Sequence, residues 1–219
     1  MSIIESENSL RQIAEEVQSC KRCPLSYSRK NSVPGEGPAN SEIMFIGEGP
    51  GFYENEQGRP FVGQAGKYLE ELLQKIGLKR TEVYITNVVK CRPPANRDPQ
   101  DEELTACHNF LERQIRVIQP RIIVTLGRFS MGLYLKEAKI SLVHGNAVWV
   151  RGQMIIPMYH PAAGLHQPAL KASIEKDFLK VPEYIQKARS TPTHITYGDD
   201  VKSSPDSEDQ TKSTQLNLF

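Results

Sequence analysis

Apolar positions recur along this chain at two periods, one helical and one of strand type. Over residues 6 to 19, Leu10, Ile13, Ala14 and Val17 keep to one side of a 3.6-residue repeat and predict a helix that runs into Cys20. Ile43 to Ile46 is a compact apolar run of strand length, closed by Gly47-Glu48-Gly49-Pro50-Gly51, which continues neither strand nor helix. A strand thus delivers a rigid, glycine-rich loop. Tyr68, Leu69, Leu72, Leu73 and Ile76 restore helical spacing, with Gly77 where a left-handed cap belongs. Val83 to Val89 reads as a β-branched strand, Leu104 through Ile118 as a helix, and Ile122 to Leu126 as a buried-type strand. Residues 147 to 158 predict two short strands about the turn Arg151-Gly152-Gln153, leading into Met158-Tyr159-His160-Pro161. A helical stretch from about Ala169 to Ala188 follows, with Pro182 expected to kink or break it.

Strands that alternate with helices call for a parallel sheet with covering helices, so the fold class is α/β. The chain of 219 residues suits one domain, taken as residues 1–190. From Thr191 the composition turns to Ser, Thr, Asp, Pro and Lys, which cannot bury a core, and residues 191–219 are expected to be a disordered acidic tail.

Apolar residues at 38% and charged residues at 24% are globular values, and no apolar run approaches membrane-spanning length. The expectation is a soluble protein. Met1 to Cys20 is polar and acidic, unlike a secretion signal, which points to a reducing, cytoplasmic setting. Four cysteines there read as metal ligands or reactive thiols before disulfides. A net charge of +1 does not advertise nucleic-acid binding, but five acids against two bases in residues 191–219 leave the body mildly basic. Cys20-x-x-Cys23 lets two sulfurs face one metal, and Cys91 and Cys107 could complete the set; spacing leaves iron-sulfur and zinc both open.

Several stretches together resemble the family 4 uracil-DNA glycosylases: Cys20-x-x-Cys23, Gly47-Glu48-Gly49-Pro50-Gly51, Gly58-Arg59-Pro60-Phe61-Val62-Gly63, Thr86-Asn87-Val88-Val89-Lys90-Cys91-Arg92-Pro93-Pro94, Cys107 and His160-Pro161-Ala162-Ala163. The likeness runs from about Cys20 to about Leu179 in the family's order. It implies a three-layer αβα sandwich around a central, mainly parallel four-stranded sheet. It also implies a structural [4Fe-4S] cluster on Cys20, Cys23, Cys91 and Cys107, and an intracellular monomer that hydrolyses the N-glycosidic bond of deoxyuridine in single- or double-stranded DNA.

By the same resemblance His160 should donate to the uracil O2, and Asn87 should read the pyrimidine edge through an amide with both donor and acceptor. Phe61 should stack on the extruded base, while Glu48 and the backbone of Gly49 should face the sugar and the uracil, where an acid could position water or stabilise the cationic sugar. Family 1 relatives carry an aspartate in that loop, which this sequence lacks, so the water's base stays open. Lys90, Arg92 and Arg97 are candidate phosphate contacts, and Leu165 or His166 a candidate wedge into the gap left by a flipped base. Two other readings compete: a non-catalytic uracil-DNA-binding or polymerase-associated module of the same fold, and an electron carrier unrelated to DNA. The inserted Lys-Arg-Arg-Ile-His loop of enzymes that trap uracil-DNA covalently is missing here.

The chain ends in Gln215-Leu216-Asn217-Leu218-Phe219, apolar for a solvated terminus. Gln215, Leu218 and Phe219 resemble the anchors of a peptide that binds a sliding clamp of the PCNA kind. Deleting residues 213–219 is expected to abolish clamp binding and spare glycosylase activity; unchanged clamp affinity would end that idea.

Overall fold

Every residue of four strands is buried: β1 (Ile43–Gly47), β2 (Tyr84–Asn87), β3 (Ile122–Leu126) and β5 (Gln153–Met158). Strands buried on both faces need helices on both sides, and parallel pairing supplies them through the crossovers. The computed structural model, which describes residues 1–192, has this arrangement. β1 pairs in parallel with β2 and β3, and β3 with β5, in register Gly47 to Asn87, Phe45 to Val124 and Val124 to Ile156. A fifth strand, β4 (Val148–Val150), runs antiparallel to β5 at the edge, giving the order β2-β1-β3-β5-β4. The four expected parallel strands are therefore joined by the short first arm of the 147–158 hairpin, whose exposed residues could not sit inside the sheet.

The helices are α1 (Ile3–Ser19), α2 (Leu25–Ser28), α3 (Phe52–Gln57), α4 (Gln64–Lys75), α5 (Asp101–Ile118), α6 (Arg128–Gly132), α7 (Ile140–Val143), α8 (Pro161–His166), α9 (Pro168–Phe178) and α10 (Val181–Ser190). On one face of the sheet Phe45, Ile85, Val124 and Ile156 pack under Leu69 and Leu73 of α4, Phe178 of α9 and Ile185 of α10. On the other face Met44, Ile46, Ile123 and Ile155 meet Leu111, Ile115 and Ile118 of α5. The result is three layers, with α1 laid outside α5 through Ile13, Val17 and Phe110.

Pro182 does break the last helical stretch. Its missing N–H is harmless in a first turn, so α10 restarts around it after α9 ends at Phe178. α4 stops before Gly77, whose φ of +75° is the left-handed geometry expected there. The second strand ends at Asn87, two residues short of the apolar run that predicted it. Val88 and Val89 leave the sheet to bond the loop after β1, their N–H groups donating to the carbonyls of Gly47 (3.0 Å) and Glu48 (3.1 Å). No helix among the described residues is long and apolar enough to cross a membrane. Gln215, Leu218 and Phe219 lie outside the described residues.

The expected [4Fe-4S] cluster is corrected by the structure. Among the described residues no group of three or more His, Cys, Asp or Glu side chains is placed to hold a metal ion. Cys20, Cys23, Cys91 and Cys107 line one small space, but it measures about 10 Å³, roughly what a single water needs. The residues present do not fit a cubane. Desolvation pushes the Cys23 and Cys91 thiols up, and that of Cys107 to about 11. Cys23, Cys91 and Cys107 pack with Leu25 and Val89, and Cys91 Sγ also accepts from the Arg29 guanidinium at 3.0 Å.

Candidate active site

Three strand ends converge on a pocket of about 400 Å³ at the carboxyl edge of the sheet, where open α/β folds bind ligands. β1 contributes Glu48, Gly49, Pro50 and Gly51; β2 ends in Asn87; β5 leads through Tyr159 to His160. Phe61, from the loop between α3 and α4, lines the same space.

Gly47 sets how these parts meet. A Cβ there would lie 2.4 Å from Asn87 Oδ1 and 2.6 Å from Phe61 Cζ, so the bare backbone lets amide and ring close over it. Asn87 is 1% exposed, and its Oδ1 has no hydrogen-bond partner among the described residues. A buried unsatisfied acceptor costs about 1–3 kcal/mol, which suits a group held for a ligand.

Phe61 is buried at φ +51°, an unusual backbone for a side chain with a Cβ. The peptide N–H groups of Val62 and Gly63 donate to Glu54 Oε1, each at 2.8 Å, and Gly51 N–H donates to Glu54 Oε2 at 3.1 Å. Arg80 donates to the carbonyls of Phe61 (3.0 Å) and Pro60, and Gly66 of α4 comes so close that a Cβ would strike the Phe61 carbonyl. The Phe61 ring stacks on the His160 imidazole with centroids 5.6 Å apart and planes 26° apart.

His160 is the N-cap of α8, and its Nδ1 accepts from the Ala162 N–H at 3.1 Å. That bond leaves the ring proton on Nε2, as a donor. Burial pushes the imidazole down to about 4, against a smaller upward pull from Glu54, so the ring is neutral at pH 7. Glu48 lines the pocket too; burial, with Asp98 nearby, pushes its carboxyl up, opposed by Arg128. Gly49 rests on Val89, whose Cγ2 would lie 2.7 Å from a Cβ, which pins the glycine-rich loop to the segment after β2.

Of the expected site residues, His160, Glu48, Gly49, Phe61, Asn87 and Arg97 come together around this pocket. Arg97 forks onto the buried Glu103 carboxylate at 2.8 and 2.6 Å, a pair that also caps α5 through Gln100 N–H. Leu165 and His166 are exposed on α8, the helix that His160 begins. Lys90 is a correction. It is 1% exposed, and its ammonium donates to Thr86 Oγ1 (2.7 Å), the Asn87 carbonyl (2.7 Å) and Gln114 Oε1 (2.8 Å) behind the pocket. Desolvation pushes it down to about 7, and from there it cannot reach a phosphate. Glu54 was missed, although Gly51-x-x-Glu54 has the spacing of a capping box.

A flat ring fits such a pocket: an aromatic face to stack on, a neutral N–H donor, and an open amide at its edge. The family model for the uracil DNA glycosylase superfamily matches residues 34–186, which contain all of these parts. The chain belongs to the type-4 uracil-DNA glycosylase family. It is 50% identical over 186 residues to the type-4 enzyme of Sulfurisphaera tokodaii, covering 80% of this chain and 84% of that protein. For the Saccharolobus solfataricus enzyme the identity is 45%, over 87% and 93% of the two chains, and for that of Archaeoglobus fulgidus 46%, over 84% and 96%. The stretch shared with this type-4 family thus spans the pocket and the whole sheet.

The neutral state of His160 has a measurable sign. An unfolded histidine takes its proton near 6.5, so between that value and about 4 the unfolded chain binds more protons than the folded one. The contribution of His160 to stability is present in full above about pH 6.5 and is lost as the pH falls towards 4. The ring resonances of His160 are expected to titrate near 4 by NMR; a midpoint near 6.5 would remove the neutral donor.

Proposed function

We propose that this protein hydrolyses the N-glycosidic bond of deoxyuridine in DNA, releasing uracil and leaving an abasic site, the opening step of base excision repair. The carrying observation is that His160, with a neutral Nε2 donor, and Asn87, with an unpartnered Oδ1, line one pocket beside the Phe61 ring.

The reaction sets the requirements. As the bond from C1′ to N1 breaks, its electron pair goes to the base and the sugar becomes cation-like, while water attacks C1′ and gives up a proton. Donors already aimed at the developing anion need no reorganisation, which is commonly the largest part of such catalysis. His160 Nε2–H donates to O2, where charge gathers. The Asn87 amide accepts from the uracil N3–H and donates to O4; cytosine presents the opposite pattern and leaves Oδ1 facing another acceptor. Phe61 stacks on the base once it has left the helix. Glu48, desolvated and beside the glycine-rich loop, positions the water and takes its proton. Arg92, Arg97, Leu165 and His166 remain the candidates for holding the strand, while the buried Lys90 supports Asn87 from behind.

Incubation of the purified chain with uracil-containing oligonucleotide, then alkali, tests this directly: breaks at uracil positions are expected, and intact strands would overturn the proposal. A non-catalytic binding module would hold the same DNA without breaking it. His160→Ala is expected to slow base release by at least about 100-fold, the usual effect of losing one such donor, with DNA affinity within a few-fold. Asn87→Asp is expected to narrow the preference for uracil over cytosine; an unaltered preference would refute the role given to the amide.

A further inference from the structure

Directly beside the pocket mouth lie two large aromatic rings with little to do for the fold. Phe52 and Tyr53, the first residues of α3, are 52% and 56% exposed, and they are the only adjacent pair of exposed aromatics among the described residues. They follow Gly51, which lines the pocket. Their rings meet edge to face with centroids 5.4 Å apart and planes at 83°. Tyr53 leans on Gly63, whose Cβ would lie 3.3 Å from its ring, and Gly63 is held by the same Glu54 oxygen that fixes the Phe61 loop.

A cation completes the patch. The Arg92 guanidinium lies 5.3 Å from the Phe52 ring centre, and its Nε donates to Asn96 Oδ1 at 2.8 Å. Asn96, the acceptor, and Pro93, the residue after Arg92, both line the pocket. Exposed rings carry a hydration cost and planar guanidinium groups stack well on aromatic faces. The two together form the kind of platform on which single-stranded nucleic acids lay successive bases.

Resting on the glycosylase reading above, we infer that Phe52, Tyr53 and Arg92 form a subsite that stacks the base next to the extruded uridine on the same DNA strand. The occupant follows from continuity: a strand whose uracil enters the pocket must carry its neighbouring nucleotide across the rim. The rim offers an apolar face for the base and a cation for the phosphate.

The test crosses protein variants with substrate variants. Uracil-containing oligonucleotides are prepared in which the base on one side or the other of the uridine is replaced by a tetrahydrofuran abasic unit, and both affinity and uracil release are measured. For the unaltered protein, removing the base on one particular side is expected to weaken binding about ten-fold, and removing the other base to matter little. Phe52→Ala is expected to bind the intact oligonucleotide about ten-fold more weakly and to be indifferent to the missing base, whereas Phe52→Trp restores the difference. Because Phe52 lies outside the packed core, the fold should survive, as circular dichroism would verify. Tyr27→Ala removes a still more exposed ring away from the pocket and should change nothing. Equal losses in Phe52→Ala and the unaltered protein, or indifference of the unaltered protein to both flanking bases, would overturn the subsite. Absence of uracil release with the binding pattern intact would instead sink the glycosylase reading and leave the subsite standing.

Discussion

The site depends on how closely the backbone at the end of β1 is approached from two sides. Gly47 pairs with Asn87 across the sheet, and any side chain there would occupy the space that the Asn87 amide and the Phe61 ring now share. Parallel register brings the strand ends level, and the missing Cβ lets two unrelated segments close into one wall. Without that gap Asn87 and Phe61 could each be present and never touch the same ligand.

Closeness alone would not hold Phe61 where it is. A non-glycine residue in the left-handed region costs about 1–3 kcal/mol, and burying its ring there leaves no easy escape. Two N–H bonds to the Glu54 carboxylate, of a class worth about 1.5–3 kcal/mol each, exceed that cost, and Arg80 adds a further clamp on the carbonyl side. Glu54 also takes the Gly51 N–H, so one carboxylate ties the glycine-rich loop to the aromatic loop. The strain is local and the restraint is shared.

Much of this was visible in the sequence, and the parts that were not share a cause. Apolar periodicity located the strands and long helices because burial on a sheet or helix face forces it, and the glycine-rich segment after Ile46 marked a loop because nothing else tolerates that composition. The motifs around Asn87 and His160 singled both out, and the structure brings both to one pocket. Lys90 was misjudged because residue type argues for exposure, whereas its surroundings, Val88 and Val89 before it and Cys91 after it, are all buried and carry it inward. The cluster was expected because the cysteine motifs resemble those of the family, and a motif says nothing of the room between the sulfurs. Glu54 escaped because a carboxylate three residues into a helix usually serves its own cap; that it also bonds Val62 and Gly63 is a tertiary fact.

The neutrality of His160 is the feature with the widest chemical consequence. An imidazolium would attract an anionic base more strongly, but it would also attract the phosphates of any DNA strand and would need solvation that the pocket denies it. Burial removes that option, and the Ala162 N–H removes the other tautomer, so one uncharged donor is left, on Nε2. In the proposed reaction its bond to O2 is ordinary while uracil is attached to the sugar and strengthens as the base becomes an anion. That difference lowers a barrier, because a contact equally strong before and during bond breaking would only tighten binding. The cost of desolvating the imidazole is met during folding, so in the proposed reaction the donor needs no further desolvation when the base binds.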